Sequence, residues 1–170
     1  MQARLGPKTC VACGWPGGRL QQPSAGWESR LRGNTCGMPE QNEEAVRRSW
    51  DAFNRGDLDA FLADAAEDIE FEEDPAFPEA GVYRGREEIV AYLAAFQEGM
   101  ADHRFELEEL HDLGDRVIAL LHETARGASS GVDVHQRPAF VYEFRDGLIV
   151  RVRAYLDRAE GLDAVGLGGS

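Results

Sequence analysis

The stretch Phe71-Glu72-Glu73-Asp74-Pro75 sets three consecutive carboxylates between an apolar residue and a proline. A carboxylate carried from such a run into an apolar cavity is desolvated, which moves its pKa toward neutrality and makes it a useful base. The same residues left in water beside Glu70 and Glu79 form an ordinary solvated charge run. A second group with chemistry to offer is His122, within the largely apolar segment 117–124. If Ile118, Leu120, His122 and Thr124 face inward, an imidazole and a carboxylate share the interior. Together they can take a proton from carbon next to a carbonyl and steady the enolate. The alternative face, Val117, Ala119, Leu121 and Glu123, is nearly as apolar, and a period of two does not choose between two apolar faces. We take the first face as inward. His103 and His111 stand next to acids and read as surface residues. Cys10 and Cys13 have chelating spacing and Cys36 adds a third thiol, but no histidine precedes His103, and a structural zinc site takes four ligands. No glycine-rich segment has the strand-to-helix spacing of a nucleotide loop, so no cofactor is expected.

These groups lie in a chain of 170 residues with 31 acidic and 18 basic side chains, a formal charge of −13. Such a charge repels phosphate backbones and anionic lipid, so neither nucleic-acid nor membrane partners are expected. No apolar run approaches the roughly 18 residues needed to span a bilayer, and the N-terminus lacks the apolar stretch of a secretory signal. A cytoplasmic location is expected. Residues 1–37 contain all three cysteines, five basic residues and a single acid, with much Gly, Pro, Ser and Gln. They bury too little apolar surface to offset their ordering entropy and are expected to be a disordered or non-native leader, ahead of one domain over 38–170.

Within that domain Val46, Trp50 and Phe53 recur at helical spacing up to Arg55-Gly56, and Asp57 caps a short second helix through Phe61. A strand follows around 69–71, then a proline-broken loop, a short strand near 81–85 and a helix over 86–100. Four long strands, near 103–112, 115–126, 133–145 and 148–157, complete a meander. A three-residue loop at Arg145-Asp146-Gly147 pairs Phe144 with Leu148. It gathers Phe140, Tyr142, Phe144, Leu148, Val150 and Val152 on one face, away from Arg151 and Arg153. Asp157-Arg158-Ala159-Glu160 has capping-box spacing and starts a terminal helix. Helices first and strands last predict an α+β fold.

The run AVRRSWDAFNRGDLDAFLADAAEDIEFEEDP, then VYRGREEIVAYL and VYEFRDGLIVRVRAYLDRAEGL, resembles the nuclear-transport-factor-2-like superfamily, in particular its SnoaL-like branch, over about residues 42–167. The resemblance implies a cone-shaped, strongly curved antiparallel sheet wrapped around N-terminal helices, enclosing an apolar pocket. It also implies a homodimer formed through the outer sheet face. The superfamily spans steroid delta-isomerases, polyketide cyclases, limonene epoxide hydrolases, dehydratases and non-catalytic binding domains, so fold alone does not name a reaction. Asn54, Gly56, Asp57, Leu58 and Asp59, followed by Glu73-Asp74-Pro75, are similar to the delta-isomerase pattern, which implies Asp74 as general base. That enzyme's two oxyanion donors fall on Ser49 and Phe140. Because each such donor contributes about 10²–10³ in rate, steroid isomerisation by that constellation is not expected. The last-strand acid of the epoxide hydrolases falls on Ala154, in Val152-Arg153-Ala154-Tyr155.

The expected site therefore pairs Asp74 with His122 in a pocket lined by Trp50, Tyr83, Phe140 and Tyr142, the Tyr142 hydroxyl donating to a ligand carbonyl. The expected ligand is a small hydrophobic carbonyl-bearing metabolite that is isomerised, cyclised or dehydrated. The alternative is a non-enzymatic ligand-binding or dimerisation module, in which Asp74 is free to point to solvent.

Overall fold

A computed structural model describes residues 39–169 of the chain; the leader expected over 1–37, with its three cysteines, lies outside the described residues. Helix α1 (Pro39–Asn54) buries Val46, Trp50 and Phe53 along one stripe. Asp57 caps α2 (Leu58–Phe61), its carboxylate accepting from the Ala60 amide at 3.0 Å. Strand β1 (Ala65–Glu72) buries Ile69 and Phe71 on one face, and β2 (Val82–Arg84) pairs with it before α3 (Gly85–Gly99). Strands β3 (Met100–Asp112), β4 (Arg116–Gly127), β5 (Asp133–Gln136), β6 (Ala139–Arg145) and β7 (Leu148–Tyr155) follow. Asp157 then caps α4 (Arg158–Ala164), accepting from the Ala159 amide at 2.8 Å.

The strands form one curved, unclosed sheet in the order β2-β1-β7-β6-β4-β3, with β5 paired to β4. All pairs are antiparallel except β1 with β7, which run parallel. The inner face packs on α1, α2 and α3 around the main core. Asn54 fixes the end of α1 to β3 by a two-way bond: its Nδ2 donates to the Phe105 carbonyl at 2.7 Å and its Oδ1 accepts from the Phe105 amide at 2.9 Å. That bond holds Phe105 against Trp50, with ring centroids 4.6 Å apart. The outer face carries a second apolar cluster, where Ile118, Leu120, Ala139 and Val141 pack with Leu162 and Val165 of the terminal segment. Part of the surface expected to join two copies is thus covered by the chain itself.

Three strand details depart from expectation. The single strand expected over 133–145 is two, because Pro138 has no amide to offer β4 and interrupts the ladder between β5 and β6. The last hairpin turns on two residues, not three: Arg145 pairs with Leu148, and Asp146 and Gly147 both adopt positive φ, at 53° and 80°. The extra residue sits instead at Val150, since Glu143 pairs with Arg151 while Phe144 pairs with Ile149. The bulge restores the expected inward placement of Phe140, Tyr142 and Val152 but puts Ile149 inside and leaves Leu148 exposed. On β4 the inward face is Val117, Ala119, Leu121 and Glu123, the opposite of the face taken from the sequence.

Helix α4 approaches β6 so closely that a Cβ on Gly161 would stand 2.6 Å from the Ala139 Cβ. Ala139 has no flexible end to yield, so Gly161→Ala should destabilise the protein by about 1–3 kcal/mol. That loss outweighs the helix-propensity gain of about 1 kcal/mol. Urea unfolding of the two proteins measures the difference, and an equal or higher midpoint for the variant would contradict this contact.

Candidate active site

Between the inner sheet face and the helices lies a cavity of about 40 Å³, lined among the described residues by sixteen, of which ten are aromatic. Such a space holds roughly three waters, at 10–15 Å³ for each. Trp50 is central to the lining, with Phe53, Phe61, Phe105 and Phe140 at centroid distances of 4.6–5.7 Å around it. Tyr92 and Phe96 come from α3, and Phe77 from the loop after β1.

The three acids after Phe71 have three different fates. Glu72 continues the outward face of β1 and meets Arg153 at 3.2 Å. Glu73, on the parity of Ile69 and Phe71, lines the cavity; its Oε2 accepts from the Tyr92 hydroxyl at 2.6 Å and its Oε1 from the Asp74 amide at 3.0 Å. Asp74 is buried, yet it is absent from the cavity wall: its Oδ1 accepts from the Ala76 amide and its Oδ2 from the Leu156 amide, both at 2.8 Å. Its carboxylate ties the loop after β1 to the end of β7. Burial holds the Glu73 carboxyl above the usual carboxylate range, reinforced by the neighbouring charges of Asp74 and Glu123 and opposed by its two hydrogen bonds. Burial, and then the bond to Glu73, push the Tyr92 phenol well above its ordinary value, so it stays protonated as a donor.

A second polar group faces the same interior. Glu123 is 5% exposed and lines the cavity, and its Oε1 lies 2.9 Å from His103 Nε2. His103 is packed among Phe53, Phe96 and Phe105, and its buried Nδ1 has no partner among the described residues. The expectation of a surface His103 is therefore corrected. An extra residue in β3 between Ala101 and Arg104, with Asp102 at φ 52°, sets His103 on the same face as Phe105.

His122, expected inside, faces the other way: it pairs across from Glu106 and its ring lies 6.2 Å from that of exposed His135. It does not meet Asp74 in the cavity, because strand alternation gives that wall to Glu123. Of the four expected lining residues, Trp50 and Phe140 line the cavity. Tyr83 stacks behind Tyr92 at 4.1 Å and donates its hydroxyl to the Glu79 carbonyl. Tyr142 is 1% exposed within the core, and neither its hydroxyl nor the Trp50 indole nitrogen makes a hydrogen bond among the described residues. Burial pushes the Tyr142 phenol up, only partly offset by the nearby indole. Sequence reasoning missed Glu73, Tyr92, His103 and Glu123. The alternation Ile69, Phe71, Glu73 and the pair His103, Phe105 carried the signal for two of them.

The profile of the SnoaL-like domain matches residues 46–152, and the chain belongs to this family. Among solved structures it is similar to a nuclear-transport-factor-2-like protein from Burkholderia thailandensis, with 30% identity and a TM-score of 0.64 over 76% of this chain and 98% of that one. It is also similar to a protein from a Jannaschia species described as a SnoaL-like polyketide cyclase, with 21% identity and a TM-score of 0.63 over 76% and 91% of the two chains. A third is a protein of ketosteroid isomerase-like fold from Catenulispora acidiphila, solved with trimethylamine, at 17% identity and a TM-score of 0.61 over 73% and 93%. The last two likenesses are of fold. No curated protein matches the sequence. Among the described residues no helix is long and apolar enough to cross a membrane.

Asp74→Ala strands two buried amides, so it should cost at least about 2 kcal/mol in urea unfolding; a neutral result would show that the tie to Leu156 carries no stability. Glu73 behaves oppositely. Its folded pKa is raised, so its contribution is present while it is protonated and is lost as pH rises through that pKa. Glu73→Gln should therefore gain stability relative to the parent as pH rises above about 4, a pH-independent difference being the contrary outcome.

Proposed function

We propose that the cavity performs cofactor-independent proton transfer on a small hydrophobic carbonyl compound, with Glu73 as the acid–base group in place of Asp74. The observation that carries this reading is a cavity carboxylate with a raised pKa, held by the Tyr92 hydroxyl among aromatic rings. A carboxyl poised nearer neutrality is a stronger base when ionised and remains able to return the proton. Glu73 takes a proton from the carbon next to the carbonyl. The resulting enolate is reprotonated at another carbon in an isomerisation, attacks a second carbonyl in a cyclisation, or expels a hydroxyl as water in a dehydration. The Tyr92 bond fixes the orientation of the carboxylate, and the aromatic wall excludes water from it. Both oxygens of Asp74 are engaged with backbone amides, which supports a positioning role for it. The cavity size favours a compound of few heavy atoms over a steroid or a fused polyketide.

The test is exchange of solvent deuterium into a panel of small ketones and enones, followed by NMR. The parent should catalyse exchange on at least one of them, and Glu73→Gln should lower that rate by about 10²-fold or more. Unchanged exchange in the variant would remove Glu73 from the chemistry, and binding without exchange in the parent would favour a binding module. The rate should rise with pH as Glu73 ionises. Tyr92→Phe should shift that rise to higher pH, because the lost hydrogen bond is one that lowers the Glu73 pKa.

A further inference from the structure

The charge inside the cavity has one sign. Glu73 and Glu123 both reach it, and among the described residues none of the sixteen that line it is a lysine or arginine. The nearby base, His103, is already engaged with Glu123 Oε1 at 2.9 Å. An anionic ligand would meet two carboxylates with no counter-charge, and a neutral one would displace water and leave Glu73 less solvated than before. A cation supplies the missing charge. It also suits the rest of the wall, because ten aromatic residues offer ring faces to which a desolvated ammonium is attracted. The free volume of about 40 Å³ matches a compact branched group rather than a long chain. The overall charge of −13 draws cations toward the molecule from a distance.

We propose that the cavity recognises a small alkylammonium group, so that the compound it takes carries a positively charged nitrogen on its apolar body. This rests on the reading that the cavity around Glu73 is the ligand site, and it specifies what fills it. The burial and negative neighbours that raise the Glu73 pKa are opposed by a bound cation, so binding releases a proton from the fraction of molecules in which Glu73 carries one.

Three probes of nearly the same shape and different charge test the idea: tetramethylammonium, tert-butanol and trimethylacetate, each titrated into the full chain by calorimetry with the Trp50 indole resonance followed by NMR. Tetramethylammonium should saturate the Trp50 shift and bind at least about tenfold more tightly than tert-butanol, and trimethylacetate should not bind. Glu73→Gln and Glu123→Gln should each weaken the ammonium several-fold without weakening the alcohol. Equal binding of alcohol and ammonium by the parent overturns the proposal without recourse to any variant. So does ammonium binding that leaves Trp50 unshifted, which would assign it to surface carboxylates. Exchange on neutral ketones with no ammonium binding removes this inference and leaves Glu73 as the base; ammonium binding with no exchange on any carbonyl compound does the reverse.

Discussion

Strand β4 lies between β3 on one side and β5 and β6 on the other, and its residues from Val117 to Leu121 are buried on both faces. A strand in that position must have two covers, because neither row of side chains can be left to water. The inner cover is the set of helices α1 to α3 with their aromatic side chains, and the outer cover includes α4. Arg158 fastens the outer cover, donating to the Leu121 carbonyl at 2.8 Å and to Glu108 at 2.6 Å. Glu108 is available there because it is the extra residue of a second bulge in β3, between Leu107 and Glu109. The cavity is what remains where the inner cover does not fully close: near Glu123 the row Val117, Ala119, Leu121 ends and a polar pair with His103 takes over.

Electrostatics follow the same division. Two outward carboxylates of β1 are matched with arginines of neighbouring strands, Glu70 with Arg84 and Arg151 and Glu72 with Arg153, and the two guanidinium groups on Glu70 hold its carboxyl below its ordinary range. These pairs are largely solvated and add little stability. Among the described residues the inward carboxylates Glu73 and Glu123 receive no arginine. They are satisfied by a phenol, an imidazole and backbone amides, which bond a carboxylate without cancelling its charge as fully as a guanidinium would.

Local signals in the sequence were reliable wherever one residue and its near neighbours decide the outcome. Asp57 and Asp157 cap helices as their spacing demands, and the stripe of Val46, Trp50 and Phe53 faces the core. The α+β class and the family resemblance were legible for the same reason, since they depend on the order of elements and not on any one side chain. The site was less legible. The side of β4 that faces the helices is set by pairing with β3 and β6, which periodicity cannot see when both faces are apolar, so His122 was placed inside and Glu123 outside. At the last hairpin the inward placement of Phe140, Tyr142 and Val152 was right, but the turn and the sides of Leu148 and Ile149 were wrong, because a bulge at Val150 does the work assigned to a longer loop. At Glu73 and Asp74 the strand's own alternation favoured Glu73, but similarity to an isomerase motif drew attention to its neighbour.

That adjacency has an evolutionary side. Asp74 secures the loop through two backbone amides, while the side chain one position earlier is the one presented to the cavity. Anchorage and the lining of the cavity therefore occupy separate, neighbouring codons. Selection can exchange the residue at position 73 without dismantling the loop that presents it, and can hold position 74 constant while the cavity wall changes. A scaffold that separates the two demands so cleanly is well suited to acquire new reactions one substitution at a time.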